Sequence, residues 1–287
     1  MKTKVISGGG LGNQLFSWAF AHYYKRATGK EIEIILSKNS FPKYYSSISV
    51  MESFCNHSIA TRHFRMLSYL LHIVDWLKFK FTFVKNNTNF FLYYESNEVW
   101  ELPSNSSMKN LVFRGFFQNF ELIEQVGFQI FSEINDVNNC VLAKLEKLRQ
   151  IINSDYQFIH IRRGDYVNNR EHYGLLNFSY YRANMEKDIF TFVSCDDSDF
   201  EAQIRSEFPE AFFLSPNEFD VWTVFAIMSK AKILLMANSS LSWWAGNLVV
   251  ENGGIAIMPT PWFQAMPEIT NYLVNPKFKP ASAIFVS

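Results

Sequence analysis

The sequence predicts an α/β protein of two Rossmann-like domains facing one another across a cleft. Three observations carry this. From Gln157 onward, short apolar runs alternate with segments of helical period, and such alternation implies a parallel sheet covered on both faces. The first thirty residues open in the same way, as strand, glycine turn and helix. Between the two regions lies a long irregular stretch, which separates a first domain over 1–145 from a second over 146–287.

Lys4–Ile6 is a short β-like run, and Gly8-Gly9-Gly10-Leu11-Gly12 is a turn suited to glycine's conformational freedom. Leu15, Ala19, Phe20 and Tyr23 then recur at helical spacing, with Gly29 where a helix C-cap belongs. Glu31–Leu36 reads as the next strand, Met66–Phe79 as a helix, and Leu111–Phe117 as a strand ending in GFFQN. In the second half, strands are expected over Gln157–Ile161, Phe190–Ser194, Ala211–Leu214, Ile233–Met236 and Ile255–Met258. The helices between them fall over Ser179–Lys187, Asp199–Phe208, Glu218–Lys230 and Leu241–Val250.

Composition narrows the function. Of 287 residues, 48% are hydrophobic and 29 are Phe, ample for a core and unlike a disordered chain. Lys+Arg and Asp+Glu balance at 27 each, so there is no global field to attract nucleic acid and any anion site must be local. The segment MKTKVISGGG lacks the longer apolar run of a signal peptide. No window reaches the roughly 20 apolar residues of a membrane span. Phe64–Phe83, interrupted by Arg65, His72, Asp75, Lys78 and Lys80, reads as helical packing or a membrane-surface contact. Cys55, Cys140 and Cys195 are too widely spaced for a disulfide framework or a zinc pattern. A reducing cytoplasm is expected, where the sequon Asn86-Asn87-Thr88 carries no meaning.

Three segments at the carboxyl ends of expected strands carry candidate chemistry, where open α/β sheets bind ligands. In GGGLGNQ, Gly10, Gly12, Asn13 and Gln14 lead into a helix N-terminus able to hold a phosphate or a sugar hydroxyl. The dinucleotide fingerprint is incomplete, with Leu15 where its third glycine belongs, and the stretch fits a plain tight turn equally well. In HIRRGD, His160, Arg162, Arg163 and Asp165 follow a strand directly. An arginine fork suits a diphosphate, and a salt-bridge cluster is the competing reading. In ANSSLSWWAGNL, Asn238, Ser239, Ser240 and Ser242 crowd the start of a helix as caps or a neutral anion cradle. Trp243 and Trp244 cannot both face a ligand, so at least one is core. Asp196-Asp197-Ser198-Asp199 contains Asp-x-Asp; capping or a base or ribose contact is favoured over a metal site.

Taken in order, GGLGNQLF (Gly9–Phe16), GFFQN (Gly115–Asn119), HIRRGDYV (His160–Val167) and ANSSLSWWAGNL (Ala237–Leu248) resemble the motifs of family 11 glycosyltransferases, the bacterial and animal α-1,2-fucosyltransferases. The resemblance spans nearly the whole chain. It departs from the family at Cys195, inserted before the Asp pair, and near Ser229, where the nearest preceding acid is Asp220. It implies a GT-B fold and inverting transfer of L-fucose from GDP-L-fucose to the 2-hydroxyl of a galactose in a surface glycan such as O-antigen. No cofactor or metal is implied. Arg162, Asp165 and His160 become the catalytic candidates, with Arg162 on the leaving diphosphate and Asp165 as base. Arg163, Ser194, Asp196, Asn238, Ser239, Ser240 and Ser242 become donor-binding candidates. Gly10, Gly12, Asn13 and Gln14 form a loop toward the phosphate or the acceptor. The implied partners are a GDP-sugar and an oligosaccharide acceptor, with a lipid-linked acceptor and peripheral membrane contact left open. The alternatives are a transferase for another GDP-deoxyhexose such as colitose, a GDP-sugar-binding protein without catalysis, and a metal-dependent transferase using Asp197 and Asp199.

Overall fold

A computed structural model describes residues 3–7, 9–36, 60–63, 93–95, 112–127 and 129–286. The helix expected over Met66–Phe79, the stretch Phe64–Phe83, Gly8, Cys55, Asn86–Thr88 and Leu111 lie outside the described residues. The chain divides into two compact units, Met1–Ile130 and Phe131–Ser287.

In the first unit, β1 (Thr3–Ser7), β2 (Ile32–Leu36), β3 (Ala60–His63), β4 (Tyr93–Glu95) and β5 (Val112–Arg114) form one sheet in the order β3-β2-β1-β5-β4. Every pairing in it is parallel. Helix α1 (Leu11–Thr28) follows β1 and buries Leu15, Phe16, Ala19 and Phe20. It closes on Gly29, whose φ of 67° lies in the left-handed region and whose N–H reaches the Lys25 carbonyl. The expected strand Leu111–Phe117 forms over Val112–Arg114, and Phe117, at a φ of 51° that no strand accommodates, lies beyond it. Helix α2 (Phe120–Val126) follows, capped by Asn119, and then α3 (Gln129–Leu142).

The second unit contains the short helix α4 (Arg149–Ile152) and then β6 (Tyr156–Ile161), α5 (Arg170–Tyr173), α6 (Phe178–Asn184), β7 (Phe190–Cys195) and α7 (Glu201–Glu207). Next come β8 (Phe212–Leu214), α8 (Val221–Ser229), β9 (Ile233–Leu235), α9 (Ser240–Glu251), β10 (Ile255–Thr260), α10 (Thr270–Leu273) and β11 (Lys279–Ser282). Its strands run β11-β10-β9-β6-β7-β8, all parallel. Counted within the unit this is the doubly wound dinucleotide-fold order, which reverses between β6 and β9. β6 is buried along its whole length, as expected for a central strand covered on both faces. Ile159, Ile161, Val193, Cys195, Phe213 and Leu235 form one core with Tyr180, Tyr181, Ile204 and Phe208.

All five strands expected in this half form, within a residue or two of the expected ends. Two helices differ for identifiable reasons. The helix expected over Ser179–Lys187 ends at Asn184 because Gln157 Nε2 donates to the Glu186 carbonyl at 2.7 Å and Gln157 Oε1 accepts from Glu186 N at 3.0 Å. The helix expected from Asp199 begins as a 3-10 turn, Ser198–Phe200, and becomes α only at Glu201. Among the described residues no helix is long and apolar enough to cross a membrane.

Candidate active site

The strand-order reversal puts the segments leaving β6 and β9 side by side. β6 delivers Arg162 and Arg163; β9 delivers Ala237, Asn238 and Ser239 into the start of α9. Side-chain hydrogen bonds tie these segments together. His160 Nδ1 meets Ser242 Oγ at 2.5 Å, and Tyr166 Oη donates to the Asn238 carbonyl at 2.9 Å. The Ala237 N–H donates to the same Ser242 Oγ at 3.1 Å. Ser242 is fully buried, and its hydroxyl is shared between the imidazole of His160 and the Ala237 N–H.

Burial, and secondarily the charge of Arg162, lowers the His160 pKa to about 3. His160 is therefore neutral wherever the protein is folded near neutrality. The unfolded chain takes up the proton near 6.5, before the folded chain does. This contribution to stability is full above pH 6.5 and declines as pH falls toward about 3, by at most about 1.4 kcal/mol per pH unit. His22, lowered to about 4 by burial and by Lys25, acts in the same direction. Denaturant midpoints measured between pH 7 and pH 4 should fall with pH, and less steeply in His160→Gln.

The two arginines diverge. Arg162 Nη1 pairs with Asp196 Oδ2, and Arg162 Nη2 donates to Asp165 Oδ1 at 2.5 Å. Its guanidinium also lies 5.2 Å from the centroid of the Tyr166 ring. Arg163 turns away: its Nε donates to Asp197 Oδ2 at 3.3 Å, and its guanidinium lies over the Phe200 ring at 3.6 Å. Its backbone N–H donates to Asp196 Oδ1 at 2.7 Å. The arginines form the carboxylate network of the competing reading, and they do so at the strand-order reversal of the sheet.

The two carboxylates on Arg162 are not equivalent. Asp196 is bonded to Arg162 and to the Arg163 backbone, and its side chain is 26% exposed. Asp165 is 56% exposed and is held to Arg162 from three positions along the chain. Gly164, between them, has no room for a side chain, because a Cβ would collide with Asp196 Oδ2. Gly164→Ala should therefore displace Asp196, cost about 1–3 kcal/mol in chemical denaturation and depress activity together with stability.

The remaining candidates fall as follows. Asn238 Nδ2 donates to the Tyr173 and Gly174 carbonyls at 2.9 and 3.1 Å, so its side chain anchors the end of α5. Ser239 is the α9 N-cap, accepting from Leu241 N at 3.3 Å, and Ser240 is the first residue of the helix. No acidic residue lies in that first turn, so the positive end of α9 is not offset by its own side chains. Ser194 pairs in register with His160, and its buried hydroxyl meets no hydrogen-bond partner among the described residues. Trp243 and Trp244 are both fully buried, and Trp243 Nε1 donates to the Leu273 carbonyl at 2.7 Å, so both belong to the core. Asp197 Oδ1 accepts from Asp199 N at 3.1 Å, the capping role expected of that run. Asp220 caps α8 by accepting from Thr223 N at 2.8 Å. Among the described residues no cluster of three or more His, Cys, Asp or Glu is arranged to hold a metal.

Gly10, Gly12, Asn13 and Gln14 lie in the first unit. Gly10 is the N-cap of α1 and makes no side-chain cap; Gly12 and Gln14 are buried, and Asn13 is half-buried. Gln14 Nε2 donates to the Gly9 carbonyl at 3.1 Å. Sequence reasoning missed Tyr166, Phe200 and Gly164. Tyr166 and Gly164 stand inside the HIRRGDYV motif itself. The signal for Asp196 was register: Ile161 pairs with Cys195 across β6 and β7, so Arg162 and Asp196 are the next pair along.

The all-parallel sheets of the two units, the second in doubly wound order, give the chain a fold of the GT-B type. Two solved structures of glycosyltransferases match nearly end to end. The glycosyl transferase family 9 protein of Veillonella parvula DSM 2008 aligns with a TM-score of 0.53 at 10% identity, over 100% of this chain and 88% of that one. Escherichia coli heptosyltransferase WaaC, solved with ADP-2-deoxy-2-fluoro heptose, aligns with a TM-score of 0.52 at 8% identity, over 98% of this chain and 93% of that one. At such identities the likeness is one of fold. The model of glycosyl transferase family 11 matches residues 2–275, and the chain belongs to that family. An α-1,2-colitosyltransferase of Escherichia coli is 35% identical over 188 residues, 58% of this chain. The match spans 62% of that protein's length. The O-antigen biosynthesis glycosyltransferase WbnK of Escherichia coli is 22% identical over 284 residues, 89% of this chain and 93% of that protein.

Proposed function

We propose that this protein transfers a 6-deoxyhexose, L-fucose or its 3-deoxy counterpart colitose, from a GDP-linked donor to the 2-hydroxyl of a galactose residue in an O-antigen glycan, with inversion at the anomeric carbon. The observation that carries this is the asymmetric clamp on Arg162, with fixed Asp196 on one side and exposed Asp165 on the other, tied to the start of α9 through Tyr166 and His160. Family membership supplies the reaction class.

The clamp supports a mechanism. Arg162, Arg163, Asp165, Asp196 and Asp197 together carry more negative than positive charge, so an incoming diphosphate binds most favourably by displacing a carboxylate. Asp165 is the one able to leave. The β-phosphate takes its place on Arg162 Nη2, with the α9 N-terminus as a second source of positive potential. The acceptor oxygen attacks C1 of the sugar while the bond from C1 to the β-phosphate oxygen breaks. GDP departs with the electron pair, and Asp165, released from the arginine, takes the acceptor proton. Charge on the leaving diphosphate grows along this path, so Arg162 binds the transition state more tightly than the ground state. His160 stays neutral and holds β6 to α9. The first-unit loop contributes Asn13 to an oxygen of the donor or the acceptor glycan. The protein works in the cytoplasm on lipid-linked or free acceptor.

The colitose reading has its own support in the 35% identical relative, and a site tolerant of one missing hydroxyl discriminates the two sugars only weakly. The test is GDP release in EDTA from GDP-L-fucose and from GDP-colitose, with and without a β-galactosyl disaccharide. Acceptor-dependent release from either donor, with a 1,2-linked product by NMR, supports the reading, and the ratio of kcat/KM values assigns the donor. Release that ignores the acceptor, or tight GDP-sugar binding without turnover, would replace it with hydrolysis or sequestration. Loss of activity in EDTA would restore the Asp197 and Asp199 alternative.

A further inference from the structure

The first unit has a switch point of the same kind as the second. Its strand order reverses between β1 and β5, so the segments leaving those two strands converge beyond the sheet. One is Gly9–Gln14 and the other is Gly115–Asn119. They are joined by a hydrogen bond spanning 105 positions, in which Gln118 Nε2 donates to Asn13 Oδ1 at 2.7 Å.

The surrounding backbone is shaped around this contact. Phe117 holds a φ of 51°, a conformation that costs a non-glycine residue about 1 kcal/mol or more. Its ring stacks on Phe20 of α1 at 4.0 Å and 11°, and the side chain is fully buried. That stack turns the next residue, Gln118, onto α1. From the other side, Gly9 has a φ of 78°, and a Cβ there would stand 2.5 Å from Asn13 Nδ2. The missing side chain leaves space for the Asn13 amide. The two amides of GFFQN have separate tasks, since Asn119 Oδ1 accepts from Glu121 N at 2.8 Å and caps α2. Gln118 is buried and Asn13 is half-buried.

We propose that Gln118 is a positioning residue for sugar transfer. By donating to Oδ1 it fixes the orientation of the Asn13 amide, so that Nδ2 is the atom Asn13 offers as donor to an oxygen of the GDP-sugar or of the acceptor glycan. This rests on the reading of Asn13 as a substrate contact. It also assigns the pair a polarity: a glutamate at 118 could only accept, would take the bond from Nδ2, and would turn the Asn13 carbonyl outward.

The experiment is initial-rate kinetics against both substrates for Asn13→Ala, Gln118→Ala, Gln118→Glu and the double variant Asn13→Ala/Gln118→Ala, with thermal unfolding of each. Asn13→Ala and Gln118→Ala should raise KM for the same substrate about tenfold, leaving kcat within about threefold. The substrate affected tells donor contact from acceptor contact. The double variant should be no worse than Asn13→Ala alone, because the glutamine acts through the asparagine. Gln118→Glu should lose as much as Gln118→Ala despite its matching shape. A wild-type KM in Gln118→Glu, or effects that multiply in the double variant, would overturn the positioning role while leaving Asn13 in place. An unchanged KM for both substrates in Asn13→Ala would instead remove the substrate contact on which the inference stands.

Discussion

Arg162→Ala is expected to lower kcat/KM for sugar transfer by about 10²–10³-fold, the usual consequence of removing one preorganised group from a developing charge. The fold should survive. Asp196 keeps its bond from the Arg163 backbone, and Asp165 is already largely in solvent, so neither carboxylate is left buried and unpaired. Arg162→Lys separates geometry from charge. An ammonium cannot span two carboxylates in a plane, nor replace one of them with a phosphate in the same fork. It should recover a small part of the lost rate and no more. Circular dichroism and unfolding midpoints alongside the kinetics distinguish loss of chemistry from loss of structure. Near-normal turnover in Arg162→Ala with a native spectrum would remove the diphosphate role.

Asp165→Asn should reduce kcat by about 10²–10⁴-fold, the range for losing a positioned base, without raising KM for the donor. The asparagine keeps the size of the side chain and can still meet solvent, so stability should hardly change. Asp196→Asn provides the contrast. That carboxylate accepts from the Arg162 side chain and the Arg163 backbone, and its loss should cost about 1–3 kcal/mol, with activity falling alongside. The exposed carboxylate would then be the one that matters for chemistry, and the fixed one for structure. Wild-type kcat in Asp165→Asn would place the base elsewhere or make a base unnecessary.

Much of the second unit was legible because its strands are short, apolar and covered on both faces, leaving the hydrophobic pattern little ambiguity. β11 was not legible: its residues Lys-Pro-Ala-Ser are mostly exposed at the sheet edge and carry no apolar signal. The turn Gly164–Asn169 and helix α5 escaped for the same reason, being mostly exposed and held by polar contacts. Helix ends shifted where a side chain from elsewhere intervened, as Gln157 does at Glu186. The three chemical segments were legible as positions, since each lies just past a strand. Their internal wiring was not. The sequence shows two arginines and two aspartates 34 residues apart, but only the parallel register of β6 and β7 pairs Arg162 with Asp196. The link from Asn13 to Gln118 was equally hidden, because it depends on β1 and β5 becoming neighbours.

The most direct test of the central claim is a calorimetric titration of GDP into the wild type, Arg162→Ala and Asp165→Asn, in EDTA at fixed ionic strength. If the diphosphate takes the place of Asp165 on Arg162, removing that carboxylate removes a competitor and a like charge. GDP should then bind Asp165→Asn about three- to tenfold more tightly, a modest gain because the group is exposed and screened, while Arg162→Ala binds it more weakly. Unchanged or weaker binding in Asp165→Asn, or wild-type affinity in Arg162→Ala, would contradict the exchange and place the diphosphate elsewhere.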